Sequence, residues 1–347
     1  MERRVDFFTR YDAAGASSRY RFYSYAAYLR EIGWEVRLEP FFPAGYLARL
    51  YRGGGKSKLA AARALGRRLP QALVTKNPAV IEYELLPFLP YGLEKVFLRN
   101  RRYVLNFDDN VWEKYRRIGW LHDKFDCLVS GSAGVIVANE FLRERVAPLH
   151  TRVIKIPTVV DLNLYPVGLE KFREFTVVWI GSPATYPYLQ QASEALRAMA
   201  RQVAFELLII GGRQLAARPV EGVKCRYVDW SAATEGELLA RSHVGIMPLR
   251  DEPFARGKSA FKLIQYQAAG LPSIASDVGE NRQVVQHGWN GFLASAPEEW
   301  AAALRTLATE PAVYEAQHRA ALGRRREFSL EKYQPVYRQF LEETLWP

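Results

Sequence analysis

The stretch from Met247 to Leu293 decides the fold, and it reads MPLRDEPFARGKSAFKLIQYQAAGLPSIASDVGENRQVVQHGWNGFL. The apolar residues 243–247 at its start predict a short buried strand. A polar loop then leads to Gly257, after which apolar residues at helical spacing predict a helix that Gly270 ends. Residues 273–275 predict the next strand. The order strand, loop, helix, strand is typical of a parallel α/β unit.

Two lysines stand near the start of the predicted helix, Lys258 in its first turn and Lys262 one turn later. Cations at a helix N-terminus oppose the helix dipole, so a bound anion would explain their position. Free backbone N–H groups and a lysine would then face a phosphate together. Two solvated lysines on a surface helix explain the spacing equally well.

Residues 265–279 read QYQAAGLPSIASDVG, and residues 288–293 read GWNGFL. Both resemble the nucleotide-sugar signature of the GT-B glycosyltransferases, specifically the retaining enzymes of family 4, which carry a Glu-x7-Glu pair before it. The two Glu positions fall on Gly257 and Gln265, which the resemblance assigns to the donor sugar and the ribose. Gln265 can still hydrogen-bond a ribose, whereas Gly257 offers only its backbone. We interpret the departure as a variant site; an inactive relative is the alternative.

The resemblance implies an α/β protein of the GT-B class, with two Rossmann-like doubly wound domains facing a cleft. Strands and helices alternate along both halves of the 347-residue chain, which agrees with that class. We expect an acceptor domain over 1–165, a nucleotide-sugar domain over 166–329, and a last helix in 330–347 that packs on the first domain. Within the first domain, residues 72–75 predict a strand and 84–99 an interrupted helix.

The net charge of +11 is unevenly placed, and it favours an anionic partner for the first half. Residues up to Gly168 hold 27 basic and 17 acidic side chains, whereas the rest hold 21 and 20. The segment Arg49–Arg68 has seven basic residues and no acid, with aromatic neighbours. Residues 41–68 therefore predict contact with an anionic membrane surface, with a solvated helical insertion as the alternative. No nucleic-acid reading motif occurs, so nucleic acid is not an expected partner.

The first loop, residues 15–21, reads GASSRYR and resembles the family segment that lies near the donor phosphates and the acceptor. The resemblance makes Gly15, Ser18, Arg19 and Arg21 candidate phosphate or acceptor contacts. Solvated arginines on a helix face are the alternative for the two cations.

The strand predicted at 102–106 ends on Asp108 and Asp109, at the edge where open α/β sheets bind ligands. We expect these carboxylates to orient the sugar or the acceptor; helix capping by Asp109 or Asn110 is the alternative. Paired aspartates can also hold a divalent ion. The resemblance argues against a metal requirement, so we expect no metal and no cofactor besides the nucleotide-sugar substrate.

Three loops of the second half follow predicted strands and carry the remaining donor-site candidates, namely Gly181, Ser182 and Thr185, then Gly211, Gly212 and Arg213, then Trp230. The resemblance places the first loop near the diphosphate and the other two beside the base, with Trp230 stacked near it; a core tryptophan is the alternative. The first loop lacks the basic residues common in the family, so the charge would come from Lys258, Lys262 and Arg256.

These features predict a glycosyltransferase that moves a sugar from a nucleotide diphosphate to a glycan or lipid-linked acceptor with retention, as in polysaccharide biosynthesis. A catalytically inactive protein that binds glycan or membrane and assists a partner enzyme is the alternative. The sequence shows no signal peptide and no apolar run of about 18 residues. Cys127 and Cys225 lie far apart. A cytoplasmic location follows, with a peripheral position on the inner face of the cell membrane as its variant.

Overall fold

The computed structural model describes residues 3–55 and 57–347, which fall into two compact units. The first unit runs to Val159 and includes Gly257–Ser259 and Leu330–Pro347. The second comprises Val160–Arg256 and Ala260–Ser329. The expected boundary after residue 165 therefore lies too late. Residues 160–165 pack with the second unit because Val160 bridges to Ser329 and the Tyr165 hydroxyl accepts a hydrogen bond from Gln265.

The first unit is built on a six-stranded parallel sheet of order β2-β1-β3-β4-β5-β6. Its strands are short, and their side chains are mostly buried: β1 Arg4–Thr9, β2 Glu35–Pro40, β3 Ala79–Glu82, β4 Tyr103–Phe107, β5 Gly134–Val137 and β6 Val153–Lys155. The chain leaves β1 towards β2 on one side and resumes with β3 on the other. A crevice for ligands forms at such a switch point, outside the carboxyl ends of the strands.

The second unit repeats this plan with a parallel sheet of order β12-β11-β10-β7-β8-β9. Its strands are β7 Thr176–Ile180, β8 Glu206–Ile210, β9 Cys225–Val228, β10 Val244–Met247, β11 Ser273–Ser276 and β12 Gly291–Ala294. The switch point lies between β7 and β10, so the loops that follow these two strands flank the same crevice.

Helices cover both sheets. In the first unit they span Ala16–Ser18, a π-helical stretch Arg19–Tyr23, Ser24–Glu31, Tyr46–Arg49, a second π-helical stretch Leu50–Gly54, Lys58–Val74, Tyr91–Leu98, Trp112–Tyr115, Lys124–Ser130, Glu140–Val146 and Leu330–Leu345. The last of these buries Tyr337 against Tyr25, with stacked rings 4.1 Å apart. That stacking ties the C-terminal helix to the core of the first unit.

The helices of the second unit are shorter on average. They span Leu162–Leu164, Tyr186–Gln191, Ser193–Gln202, Arg213–Ala217, Glu235–Arg241, Pro253–Arg256, Phe261–Ala268, Asn281–Val284, Pro297–Thr309, Pro311–Arg324 and Arg325–Phe328. Nowhere in the described ranges 3–55 and 57–347 is a helix both long and apolar enough to cross a bilayer.

Two predictions for the first unit were wrong. Residues 72–75 do not form a strand; they include the last turn of the helix Lys58–Val74, and the strand lies later, at Ala79–Glu82. The apolar side chains of that turn face outward, with Leu73 58% and Val74 72% exposed, so their β-like composition does not reflect burial in the sheet. The helix predicted over 84–99 is confined to Tyr91–Leu98, because the prolines before it prevent helical pairing.

A buried ionic network lies in the first unit, around Lys124. The Lys124 ammonium donates to Glu84 Oε2 at 2.6 Å and to the Leu86 carbonyl at 2.7 Å, and lies 3.0 Å from Glu94 Oε2. Arg10 adds a hydrogen bond to Glu84 Oε1 at 3.0 Å. Lys124 and Glu94 are fully buried, so each charge depends on the others for stabilisation.

We expect the contribution of Glu94 to stability to fall as pH rises. Burial raises the pKa of this carboxyl from 4.5 to about 7, against the opposing charge of Lys124. Between pH 4.5 and about 7 the folded protein keeps a proton on Glu94 that the unfolded chain has released. The free energy of unfolding therefore falls as pH rises through this range. Urea unfolding of wild type and Glu94→Gln across this range would show the stability difference, wild type minus variant, shrinking as pH increases. A difference that stays constant or grows would refute the assignment.

Candidate functional site

The loops after β7 and β8 meet at the carboxyl edge of the second sheet. A Cβ placed on Gly211 would overlap the carbonyl oxygen of Gly181, so the two loops approach as closely as their backbones allow. The Gly181 N–H donates to the Ile210 carbonyl at 2.9 Å and continues the sheet pairing to this point. Because Gly181 and Gly211 have no side chains, they form a surface of bare backbone beside the switch point, the glycine floor. A ligand backbone or phosphate can approach this surface closely.

Polar groups around this floor are partly used in holding the loops. The Thr185 hydroxyl donates to the Ser182 carbonyl at 3.0 Å and closes the turn before the helix Tyr186–Gln191. On the neighbouring loop, Gly212 has a φ of 137°, and the backbone N–H of Arg213 donates to Asp229 Oδ1 at 2.9 Å. Arg213 leaves most of its side chain exposed.

Gln265 and Trp230 are connected through two residues that sequence reasoning did not select. The Gln265 amide donates to the Tyr165 hydroxyl at 3.0 Å, and that hydroxyl donates to Glu235 Oε1 at 3.1 Å. The indole N–H of Trp230 donates to the other oxygen of the same carboxylate. The structure therefore brings together the two positions expected near ribose and base. Gln265 is buried and donates one amide N–H to Tyr165, and a ribose contact through this side chain stays a prediction.

The two lysines of the signature are not on one helix, and the prediction that Lys258 lies in a helical first turn was wrong. The helix begins at Phe261, after Ala260 in a left-handed conformation with φ 51°. Only Lys262 lies in the first turn, with its ammonium 5.6 Å from the centre of the Trp179 ring. Residues Gly257–Ser259 instead belong to the first unit.

Asn139 and Asp109 contact the segment Gly257–Ser259. The Asn139 amide donates to the carbonyls of Gly257 at 2.9 Å and Lys258 at 3.2 Å. The Lys258 ammonium lies 3.9 Å from Asp109 Oδ1, with 14% of the side chain exposed. A Cβ on Gly257 would lie 2.5 Å from the Asn110 Cβ, so a larger residue does not fit without movement. This contact explains why glycine, and not the family glutamate, occupies the position.

Asp108 lies deeper than Asp109 and has a different environment. It accepts a hydrogen bond from the Tyr83 hydroxyl, and Tyr83 itself has a positive φ of 61°. Burial raises the pKa of the Asp108 carboxyl, and the neighbouring Asp109 charge adds to that rise while Arg21 opposes it. A buried carboxyl with a raised pKa is a candidate for a role that depends on its proton. Tyr83, a strained non-glycine residue, had no signal in the sequence.

The first loop is held internally. Ser18 donates to Glu82 Oε2 at 2.6 Å, and the Arg21 guanidinium donates to Asn106 Oδ1 at 2.5 Å and to the Ile156 carbonyl at 3.0 Å. Both side chains are buried, which corrects the expectation that they face a ligand. Gly15 is also buried, packed on Tyr11. Arg19 is half-buried, with its guanidinium 4.5 Å from the centre of the Tyr20 ring.

Arg256, expected to supply charge to the donor phosphates, has its own partner. Its Nε lies 2.5 Å from Asp251 Oδ1 and its Nη2 3.0 Å from Oδ2, in an exposed bidentate pair. This pairing reduces the charge it can offer to a ligand. Within residues 3–55 and 57–347, no group of three or more histidine, cysteine, aspartate or glutamate side chains is arranged to hold a metal.

The basic segment 41–68 forms the short helix Tyr46–Arg49, the π-helical stretch Leu50–Gly54 and the first turns of Lys58–Val74. Its aromatic residues stack, with the rings of Phe42 and Tyr46 3.9 Å apart and Tyr11 5.7 Å from Phe42. Lys56 belongs to this prediction but lies outside the described residues.

Comparison with known sequences and structures gives the class of the protein. Residues 174–310 match the family model described as "Glycosyl transferases group 1". No curated protein sequence matches the chain.

Solved structures extend the similarity to the whole fold. The Anabaena protein Alr3699/HepE, solved with UDP-glucose, matches with a TM-score of 0.73 at 14% identity, over 98% of this chain and 99% of that one. A sucrose-phosphate synthase from Thermosynechococcus elongatus matches with a TM-score of 0.70 at 17% identity, over 99% and 100% of the two chains. A glycosyltransferase from Rickettsia africae gives a TM-score of 0.68 at 14% identity, over 99% of both. The chain therefore has the GT-B fold, and its residues 174–310 match the model of group 1 glycosyltransferases.

Proposed function

We propose that this protein transfers a sugar, with retention of configuration, from a nucleoside diphosphate donor to a hydroxyl group of a glycan or lipid-linked acceptor. The observation that carries the proposal is the carboxyl edge of the second sheet. There Gly181, Gly211 and Trp230 follow the successive strands β7, β8 and β9, and Lys262 and Gln265 follow β10 on the other side of the switch point, all within the group 1 segment. UDP and UDP-glucose in complexes of Alr3699/HepE support a nucleotide sugar as the donor.

In this proposal the glycine floor accepts the diphosphate, with hydrogen bonds from backbone N–H groups and the hydroxyls of Ser182 and Thr185. Lys262, Arg213 and Arg256 supply positive charge, and Arg256 does so only if its pairing with Asp251 opens. Trp230 lies beside the base, and Gln265 positions Tyr165 near the ribose. Gly257 contributes backbone alone.

Lys258 is the proposed catalytic cation. Breaking the bond between the anomeric carbon and the diphosphate leaves negative charge on the leaving oxygen, and a preorganised ammonium stabilises that charge without reorganisation. Asp109 holds the ammonium in place at 3.9 Å. Asp108, with its raised pKa and its Tyr83 contact, orients the sugar or acceptor hydroxyl. Gly15 and Arg19 are proposed to contact the acceptor. Ser18 and Arg21, which are buried, hold this loop in position.

The direct test is release of nucleoside diphosphate from a panel of UDP-, GDP-, dTDP- and ADP-sugars, followed by proton NMR of any transferred product. The proposal expects turnover with one base and a product with the anomeric configuration of the donor. An inverted product would remove retention, and no release from any donor, with or without added glycan and lipid acceptors, would remove the transferase reaction.

Gly257→Glu, which installs the family glutamate, should lower turnover by roughly tenfold to a hundredfold. The added side chain meets Asn110 and displaces the segment that carries Lys258, and a displacement near 1 Å costs on this scale. Steady-state rates of Gly257→Glu and of the double variant Gly257→Glu/Asn110→Gly measure this, with partial recovery expected in the second. A rise in turnover for the single variant would contradict the crowding argument.

A non-catalytic GT-B protein that assists a partner enzyme is the second candidate, and the position of Gly257 favours it.

The segment 41–68 is proposed to contact an anionic membrane surface, since its cations lie beside exposed Leu59. The cysteines at 127 and 225 are free, as in a reducing compartment. These two features support a location on the cytoplasmic side of the cell membrane. There the proposed transferase, an enzyme of the family 4 type, acts in polysaccharide assembly.

A further inference from the structure

A cavity of about 420 Å³ lies in the first unit, between the short helix Tyr46–Arg49 and the first turns of the helix Lys58–Val74. Pro43, Tyr46, Leu59 and the alanines of the long helix give it apolar walls, and Ser57 lies at the helix N-terminus. The volume is that of a pocket for a small organic ligand. These residues lie within the segment 41–68 that is proposed to contact a membrane, and none of them belongs to the proposed donor or acceptor sites.

The charge of this cavity has one sign. Arg49, Arg63 and Arg67 line it, and no carboxylate does so among residues 3–55 and 57–347. The surrounding sequence shares the bias, because residues 40–81 contain eight lysines and arginines and no aspartate or glutamate. Such a concentration of cations around a concave surface favours an anion inside it.

The three arginines differ in how far the protein already uses them. Arg67 donates to the carbonyls of Pro40 at 2.8 Å and Phe41 at 2.7 Å, which fixes it against the end of β2. Arg49 makes a long contact of 3.5 Å to the Gly54 carbonyl. Arg63 is exposed and has no hydrogen bond or ion pair within the part of the chain that the structure describes. One guanidinium is thus anchored, and two are able to turn to a ligand.

We propose that this cavity binds a phosphate monoester, with Arg49 and Arg63 gripping the phosphate and the apolar walls receiving the organic group that carries it. A guanidinium presents two parallel N–H donors that match two phosphate oxygens, which makes arginine the preferred residue for this group. The start of the 17-residue helix Lys58–Val74 adds its positive dipole end. The Ser57 hydroxyl already accepts from the Ala60 N–H at 3.1 Å, so its own hydrogen is available to the ligand.

The phosphate monoester can come from a soluble sugar phosphate or from a lipid head group. Both present the same dianion, and the same two arginines would hold it. The site is independent of the proposed donor site, since none of its lining residues belongs to the second unit. Its failure would leave the transferase reaction untouched.

The test compares two charge reversals on the same acid-free segment. Arg63→Glu places a carboxylate in the cavity, whereas Lys76→Glu makes the same change of net charge on an exposed lysine outside both the lining and the segment 41–68. Ala60→Trp fills the cavity without altering charge. Calorimetric titration of glucose 6-phosphate, and sedimentation with phosphatidylcholine vesicles with or without phosphatidic acid, would be carried out on each protein. Thermal unfolding would confirm that each variant is folded.

The proposal expects saturable binding to the sugar phosphate or to the phosphatidic acid vesicles, weakened about tenfold or more by Arg63→Glu and by Ala60→Trp and unchanged by Lys76→Glu. Binding to the sugar phosphate identifies a soluble source, and binding to the vesicles alone identifies a head group. Equal weakening by both charge reversals, with Ala60→Trp unaffected, would show general membrane attraction and overturn the proposal. So would the absence of binding to either probe.

Discussion

Replacing Lys258 with alanine should reduce kcat by about a hundredfold or more, the loss typical when one charge-stabilising donor is removed. In the structure Lys258 lies outside the predicted helix, and its surroundings give a different physical reason for this loss. Lys258 does not oppose a helix dipole; it stands in a short segment fixed by two hydrogen bonds from Asn139 and by the Asp109 carboxylate. A cation held in this way is preorganised for charge that develops only in the transition state. The loss should therefore appear in kcat more than in KM.

Two further variants separate this role from a structural one. Lys224 is an exposed lysine paired with Glu174, and Lys224→Ala should leave kcat unchanged. Lys258→Arg keeps the charge but changes its shape, so it should recover part of the rate. Near-wild-type turnover in Lys258→Ala, measured as nucleoside diphosphate release, would remove Lys258 from the mechanism.

The largest effect on stability is expected from Lys124→Ala, at about 3–5 kcal/mol, because the change leaves Glu94 buried without its cation and Glu84 with Arg10 alone. Removing one partner of a buried ionic group is more costly than losing the interaction itself, since the remaining charges stay out of water. The loss can be measured as the change in free energy of unfolding in urea. Lys95→Ala, on an exposed site of the neighbouring helix, should change it by less than about 0.5 kcal/mol.

A double variant tests the cause. Lys124→Met/Glu94→Gln removes one positive and one negative charge together and leaves Glu84 paired with Arg10 at 3.0 Å. It should be more stable than Lys124→Ala, since fewer charges remain buried without a partner. If the double variant were as unstable as Lys124→Ala, loss of packing rather than uncompensated charge would be the explanation.

The sequence predicted the strands of the second sheet well because fully buried parallel strands read as short apolar runs. The strand predicted at 243–247 forms over Val244–Met247, and the one predicted at 273–275 forms over Ser273–Ser276. The segment 72–75 failed for a related reason: its apolar residues resemble a strand but lie exposed at a helix end. Composition alone does not say which side of a chain faces the core.

The candidate site was predicted less completely, because its residues depend on contacts between distant parts of the chain. Nothing in the order of residues around Gly257 indicates that the chain leaves the second unit for three residues, so Lys258 was placed on the wrong element. From the sequence Arg21 is a plausible ligand contact. In the structure its guanidinium donates a hydrogen bond to Asn106, which lies 85 residues away along the chain. Tyr83 and Glu235 were missed because each acts on a predicted site residue through a single hydrogen bond.

The most direct test of the central claim is a calorimetric titration of UDP, GDP, dTDP and ADP into the wild-type protein, with Lys262→Ala and Arg63→Glu in parallel. The account predicts that one nucleoside diphosphate binds at a single site, that Lys262→Ala weakens it, and that Arg63→Glu does not. Binding of none of the four, in a protein shown to be folded, would contradict a nucleotide-sugar site on the second unit.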